Sequence, residues 1–449
     1  MTTKSKKNIR CVLVLGGGIA GATVAERLGR AGIDVQWVEK EPVIGGQAAA
    51  MGCKAADTCL RCHVCTATDR LKAALHAPHV RLNTRSELVA LAPGNNGAAY
   101  RATLRTAPNI ICRERCIGCG ICASVCPEHC ISIKNPALYG GVPVIDLPLC
   151  RRTRGKSCNL CAKACPVQAI DWKEPAQQRE LDVDAVVVAT GHAPFNPGQK
   201  GTFGYGVIPN VISGLDAEHQ LAGQQCITRL SDGRAPGRVA FIQCVGSRSE
   251  HAHRRPEDTN YCSTVCCAYA LRIARRMQSD VPETAVTVFY MDIQNFGQDF
   301  ESFYTACRKT MTFIRARPVE ITAGLEGAVV VAYEDQTKGV VTTAEFDLVV
   351  LSIGIRPAPA ARELADCLRL AVDERGFLGI KGAAGLPQTQ RPNIFVAGTC
   401  VYPQDIAATI GQAEAVCAEI LKQAEGGRQK AEGRRQKAEG RRRKVEGGR

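Results

Sequence analysis

Aromatic residues are scarce, 5% of a 449-residue chain. That leaves little material for the stacking platforms that hold single-stranded nucleic acid. No stretch of about 18 uninterrupted apolar residues occurs, so no membrane-spanning helix is expected. The basic start, Met1 to Arg10, is followed by a short apolar run, Cys11 to Leu15, and then by glycines. Such a run is too short for a secretory leader and reads as a first strand. The eight histidines show no metal-ligand spacing, and His63 reads as packing or solvated surface. No side chain stands out as an acid, base or nucleophile, so no catalytic residue is assigned.

Cysteine, by contrast, is abundant. There are 24, many of them two or three residues apart, a poor arrangement for disulfide staples. A reducing, cytoplasmic setting with cysteines as metal ligands is therefore expected. The formal net charge is +14. Part of it sits in residues 425–449, where a seven-residue unit close to Arg-Gln-Lys-Ala-Glu-Gly-Arg repeats. That tail has almost no apolar residues and is expected to be disordered. A docking arm for an acidic partner or surface is its alternative role. The remaining charge suits an acidic redox partner as well as it suits nucleic acid, and decides little.

Hydrophobic patterning places an α/β unit at the start. Strands are expected at Cys11–Leu15 and Asp34–Val38 with a helix at Ala22–Ala31 between them. Further strands are expected at Val183–Thr190, Gly237–Gln243, Ala285–Tyr290, Phe346–Ile353 and Asn393–Gly398, and a last helix near Ile406–Gln423. The domain expectation is residues 9–110 for the first part of an FAD domain, with 111–172 inserted as a ferredoxin-like domain. Residues 173–236 continue the FAD domain and lead into a second nucleotide fold at 237–356. Residues 357–424 close the FAD domain.

Gly16-x-Gly18-x-x-Gly21 follows the first strand and opens the first helix. Glycines there let a pyrophosphate approach the backbone, and the helix N-terminus stabilises its charge. Glu39 ends the second strand, placed to accept hydrogen bonds from an adenosine ribose. The following stretch, Lys40 to Gly45-Gly46-Gln47, is similar to a Gly-Gly loop of FAD enzymes with two dinucleotide-binding domains. Ala189-Thr190-Gly191 resembles their crossover. Gly398-Thr399 with Asp405-Ile406 resembles their late flavin motif. Together with Ala20, these favour FAD over NAD. The second nucleotide fold departs from that class. It reads Phe241-Ile-Gln-Cys244-Val-Gly246-Ser-Arg248, with one glycine of the fingerprint left, and nicotinamide binding is expected to be lost.

Cys116-x2-Cys119-x2-Cys122-x3-Cys126-Pro127 is a two-cluster ferredoxin run, and Cys150-x7-Cys158-x2-Cys161-x3-Cys165-Pro166 is its partner. In such runs the fourth cysteine ligates the other cluster. One [4Fe–4S] cluster is thus expected on Cys116, Cys119, Cys122 and Cys165. The second is expected on Cys158, Cys161, Cys126 and Cys150. Cys53, Cys59, Cys62 and Cys65 form a third set, and Cys244, Cys262, Cys266 and Cys267 a fourth. Zinc is the competing metal for the thiolate sets, and free thiols are the alternative for the last two. Cys11, Cys112, Cys130, Cys226, Cys307, Cys367, Cys400 and Cys417 are read as small buried hydrophobes, with a redox role for Cys400 as the alternative.

These motifs, in this order, together with Tyr261-Cys-x-x-Val-Cys-Cys267 and Phe395-Val-Ala-Gly-Thr399, resemble those of the heterodisulfide reductase A family and its bacterial relatives. The resemblance covers about residues 9 to 424. It implies a thioredoxin-reductase-like α/β flavoprotein with an inserted α+β ferredoxin domain. It implies FAD, two to four [4Fe–4S] clusters, partner subunits of a heterodisulfide-reductase-like complex, and an arrangement open to homodimers. Electron transfer in thiol–disulfide or sulfur metabolism follows from it. Methanogen versions carry further C-terminal ferredoxin repeats that this sequence lacks, so the shorter sulfur-metabolism relatives are the better match. The rival expectations are an NAD(P)H-dependent flavin and iron–sulfur oxidoreductase and a flavin-free electron carrier.

Overall fold

A computed structural model describes residues 9–95, 97–133, 143–173, 175–249, 259–294, 300–380 and 388–425. The repetitive tail beyond 425 lies outside them.

The first sheet has five parallel strands in the order Ile394–Val396, Ala185–Val188, Cys11–Leu15, Asp34–Val38, Val80–Asn83. Its central strands are apolar at almost every position because both faces are covered. On one face Val14, Trp37 and Val187 pack against Leu28 of the helix Ile19–Arg30 and against Val416 and Ile420 near the C-terminus. On the other face Leu13, Val186 and Val396 meet an antiparallel layer, Ser86–Pro93, Tyr100–Thr106 and Gln177–Val183.

The second sheet repeats the plan. Its parallel order is Val211–Ser213, Leu348–Ile353, Arg238–Val245, Ala285–Phe289, Thr312–Ile314. Helices Gly214–Gln224, Cys266–Asp280 and Phe300–Thr310 cover one face and an antiparallel layer spanning 318–346 covers the other. The two halves are tied by a short antiparallel pair, His192–Pro194 with Ile355–Pro357.

The ferredoxin insert leaves after Thr106 and returns before Gln177, and these two residues pair with each other. An insertion whose ends already touch adds little closure entropy to its host. Ile111 and Ile170 bridge at its neck.

Two expected strands are each two elements. Val183 ends an antiparallel strand and Ala185 begins a parallel one. Between them the Asp184 carboxylate accepts the backbone N–H groups of Arg10 and Cys11. Phe346 and Leu348 are divided in the same way, and the Asp347 carboxylate accepts from Gly237 and Arg238. In each half an aspartate at a strand switch satisfies donors at the start of the central strand. The first helix also starts earlier than expected, at Ile19. Among the described residues, no helix is long and apolar enough to cross a membrane.

Candidate functional site: a dinucleotide cradle and rings of thiols

The turn after Cys11–Leu15 is set by its own backbone. Gly16 adopts φ +115°, and a Cβ on Gly21 would lie 1.9 Å from the Gly16 oxygen. Those glycines are required by the turn itself. Gly18 is different. It is the N-cap of Ile19–Arg30 with extended backbone, φ −78° and ψ −172°, which any residue adopts. A Cβ there would meet no atom within 4 Å. Among the described residues no side chain caps the helix, and no acidic residue stands in its first turn. The helix thus presents unpaired N–H groups and a positive dipole end to an open space, which fits a pyrophosphate.

The other expected residues gather around that space. Gly45 N–H donates to Gly17 O at 2.8 Å, and a Cβ on the exposed Gly46 would lie 3.2 Å from Gly18 Cα. The Gly-Gly loop therefore lies directly against the turn, with Gln47 leading into the helical turn Ala48–Ala50. Lys40 is exposed beside it. The Glu39 carboxylate accepts from Gly17 N at 2.5 Å and Glu41 N at 2.7 Å. Burial raises its pKa against those bonds, and each oxygen keeps a lone pair for a ribose hydroxyl. A Cβ on Gly398 would sit 3.0 Å from Ala20 Cβ. Ala189-Thr190-Gly191 ends the neighbouring strand, with Thr190 exposed. Asp405, also exposed, accepts from Ala408 N at 2.8 Å and starts the last helix. Ile406 packs with Ile19 and Ala48.

Three further residues belong to this floor. His192 Nδ1 lies 2.8 Å from Thr399 Oγ1, and burial pushes its pKa down to about 4, so the ring is neutral at physiological pH. Gly398 N donates to Gln412 Oε1 at 2.7 Å, and Gln404 Nε2 donates to the same oxygen at 2.9 Å. Sequence offered no signal for them beyond their nearness to the late glycine motif. Cys400 is buried under the same strand. Its Sγ–H donates to Val188 O and Ala397 O, and burial pushes its pKa up to about 11. It is a neutral packing thiol.

The corresponding cradle of the second half is filled. A Cβ on Gly246 would lie 2.2 Å from the Phe195 ring. Ser247 and Ser263 hydroxyls, 2.8 Å apart, occupy the space beneath Gly354. The strand register shifts between Ile242 and Val245, and Cys244 takes a left-handed φ of +60°. Among the described residues the next helix begins at Cys266, without a glycine turn before it.

Cys244 stands in that turn with Cys262, Cys266 and Cys267 as charge neighbours. Burial raises the thiols of Cys244, Cys266 and Cys267, and the Arg248 guanidinium beside Cys244 opposes it there. Arg248 is itself held by Asp292 at 2.5 and 2.8 Å. The amide of Gln243, buried next door, has no partner on either atom among the described residues.

Cys53, Cys59 and Cys62 lie along a loop and Cys65 in the first turn of the helix Val64–Leu75 that follows it, with Cys53, Cys59 and Cys65 exposed and Cys62 half-buried. The loop rests on the helix that starts with Cys266. Arg272 Nε donates to Leu60 O and Arg276 Nη1 to Ala55 O, both at 2.8 Å, and the Arg272 charge faces Cys62 and Cys59. Lys54 is buried in the same loop and pairs with Glu218 at 2.6 Å. One helix thus carries two thiols of the fourth set and anchors the third.

In the insert the thiols ring two cavities, among the described residues. One is lined by Cys116, Cys119, Cys122 and Cys165. The other is lined by Cys126, Cys150, Cys158 and Cys161, and also by Cys130. Each cavity thus gathers thiols from both cysteine runs. Cys130 is buried in an apolar cluster as expected, and it also lines this second cavity, which the sequence did not indicate. Cys226 corrects the expectation of a buried thiol, since it is exposed, whereas Cys307 and Cys417 are buried as expected.

Residues 115–169 match the 4Fe–4S dicluster domain, and residues 14–51 match the NAD(P)-binding Rossmann-like domain. Three methanogen relatives are iron–sulfur or ferredoxin-linked polypeptides of the heterodisulfide reductase A type. The second such CoB–CoM heterodisulfide reductase polypeptide of Methanopyrus kandleri is 35% identical, over 90% of this chain and 63% of that protein. Its counterpart in Methanocaldococcus jannaschii is 34% identical, over 92% and 64%. The counterpart in the H2:CoB–CoM heterodisulfide,ferredoxin reductase of Methanothermobacter marburgensis is 33% identical, over 90% and 62%. The chain therefore spans just under two thirds of the length of these relatives. Among solved structures, LpdA of Mycobacterium tuberculosis superposes with a TM-score of 0.50 at 14% identity, over 92% of this chain and 73% of that one, a likeness of fold.

Proposed function

We propose that this chain, similar over nine tenths of its length to heterodisulfide reductase A polypeptides, is the FAD and iron–sulfur electron-transfer component of a related cytoplasmic complex. FAD supplies the exchange between paired and single electrons, and [4Fe–4S] clusters carry single electrons. The unpaired N–H groups beyond Gly18 hold the pyrophosphate and Glu39 accepts from the ribose. Gly46 and Gly398 keep the walls of the cradle thin. Neutral His192 orients Thr399 at the flavin end. Cys116, Cys119, Cys122 and Cys165 hold one cluster, and Cys150, Cys158, Cys161 and Cys126 a second. Cys244, Cys262, Cys266 and Cys267 hold a third, with Arg248 offsetting its charge. Cys53, Cys59, Cys62 and Cys65 hold a fourth against the same helix. Electrons pass to and from partner subunits of thiol–disulfide or sulfur metabolism.

The observation that carries this reading is the contrast between the two nucleotide folds. The first leaves room at Gly18, and the second is closed by Phe195 and two serines. A flavin is held while a nicotinamide is not. Anaerobic reduction tests it. A low-potential donor is expected to bleach both flavin and iron–sulfur absorbance, while NADH and NADPH leave the flavin oxidised. Stoichiometric flavin reduction by either nicotinamide would favour the NAD(P)H-dependent reading instead.

A further inference from the structure

The ferredoxin insert carries two Cys-Pro turns of the same form, and the residue that follows the turn differs between them. In the first half Cys126-Pro127 enters a tight turn: His129 N–H donates to Cys126 O at 3.1 Å, and His129 adopts φ +47°. In the second half Cys165-Pro166 does the same: Gln168 N–H donates to Cys165 O at 3.2 Å, and Gln168 adopts φ +49°. The residue after each turn faces the adjoining cavity. It is Ala169 in the second half and Cys130 in the first. One cavity therefore offers four thiols and the other offers five.

The fifth thiol is built into its site. Cys130 Sγ lies 3.4 Å from Cys126 Sγ, and both are buried. Cys150 lines the same cavity. Its backbone is fixed, since Cys130 O accepts from Asp146 N at 2.7 Å and the strand Ile131–Ile133 follows at once. The Glu128 carboxylate pairs with Arg151, which ties the turn to the chain around Cys150.

We propose that Cys130 is an alternative ligand of the second [4Fe–4S] cluster, able to take the place of Cys126. In the exchange an iron–sulfur bond to Cys130 forms as the bond to Cys126 breaks. The proton of the Cys130 thiol passes to Cys126, so no electron is gained or lost. The proposal rests on the dicluster reading of the insert. The first cavity has no such reserve, because Ala169 occupies the equivalent position.

The test compares the halves by iron, labile sulfide and electron paramagnetic resonance, with no need for turnover. Cys126→Ala is expected to retain the iron of the parent and to show no oxidised [3Fe–4S] signal. Cys126→Ala/Cys130→Ala is expected to lose up to about four iron or to show that signal. Cys165→Ala is expected to lose its cluster in the same way, and Cys165→Ala/Ala169→Cys to regain it. If Cys126→Ala is as depleted as the double variant, or if Ala169→Cys restores nothing, the proposal is wrong. A parent chain whose insert holds no cluster would overturn the dicluster reading itself, a distinguishable result.

Discussion

Gly18→Asp yields a protein that is folded, at least as stable as the parent, and almost free of flavin. The backbone at Gly18 is already extended and the space beyond it is open, so aspartate enters without strain. As an N-cap carboxylate it bonds the free N–H groups of the first turn and complements the helix dipole, together worth about 0.5 to 1 kcal/mol. The same carboxylate occupies the place of a pyrophosphate and repels it. Two charges about 4 Å apart near a protein surface interact by about 4 kcal/mol. A loss of flavin affinity of at least about a hundredfold, roughly 3 kcal/mol, is therefore expected. Urea denaturation of the apoprotein and fluorescence titration with FAD measure the two effects separately. Unchanged FAD affinity would place the pyrophosphate elsewhere. Gly21→Ala makes the opposite control, since its Cβ collides with the turn and must damage the fold as well.

Lys54→Ala is expected to be the most destabilising single change outside the sheets. The Lys54 ammonium and Glu218 carboxylate are 2.6 Å apart with 2% and 5% of their side chains exposed. Lys54 also donates to Gly52 O, and Gly52 N donates to Glu218. The pair thereby fastens the thiol loop to the helix Gly214–Gln224 of the other half. Removing one partner leaves a buried charge, at a cost of about 3 to 5 kcal/mol. Burial already raises the Glu218 pKa and Lys54 opposes it, so losing Lys54 lets that pKa rise further. A carboxyl whose folded pKa lies above its unfolded value near 4.5 binds its proton more tightly when folded. Its contribution to stability is present at low pH and lost as pH rises through the folded value. The deficit of Lys54→Ala is therefore larger at pH 7 than at pH 5, as urea midpoints at the two pH values would show. A deficit equal at both, or below about 1 kcal/mol, would mean that the pair is solvated. Lys54→Met/Glu218→Leu should recover much of the loss, because an apolar pair of similar volume leaves no charge unpaired.

Much of this arrangement is legible in the sequence because backbone requirements leave fixed residues behind. The Gly16 to Gly21 turn, the strand ending at Glu39 and the Cys-Pro endings of the ferredoxin runs each follow from one local constraint. The crossed ligand pattern follows from spacing alone. What escaped was set by tertiary contact. Asp184 and Asp347 split apparent continuous strands because their carboxylates serve donors in a distant segment, at a separation no local pattern encodes. His192 reaches Thr399 only when the strand Ile394–Val396 pairs beside Ala185–Val188, and Gln412 reaches Gly398 only when the last helix folds back. Cys130 escaped because its spacing fits no ligand run. Only the likeness of its turn to the one before Ala169 reveals where its thiol lies.

The central claim is that one flavin cradle and four thiol sets share this chain. Iron, acid-labile sulfide and flavin per chain, on protein prepared without oxygen, test it most directly. One FAD with about sixteen iron is the result expected. Protein that takes up no flavin from saturating FAD, or iron that stops at about eight, would contradict it.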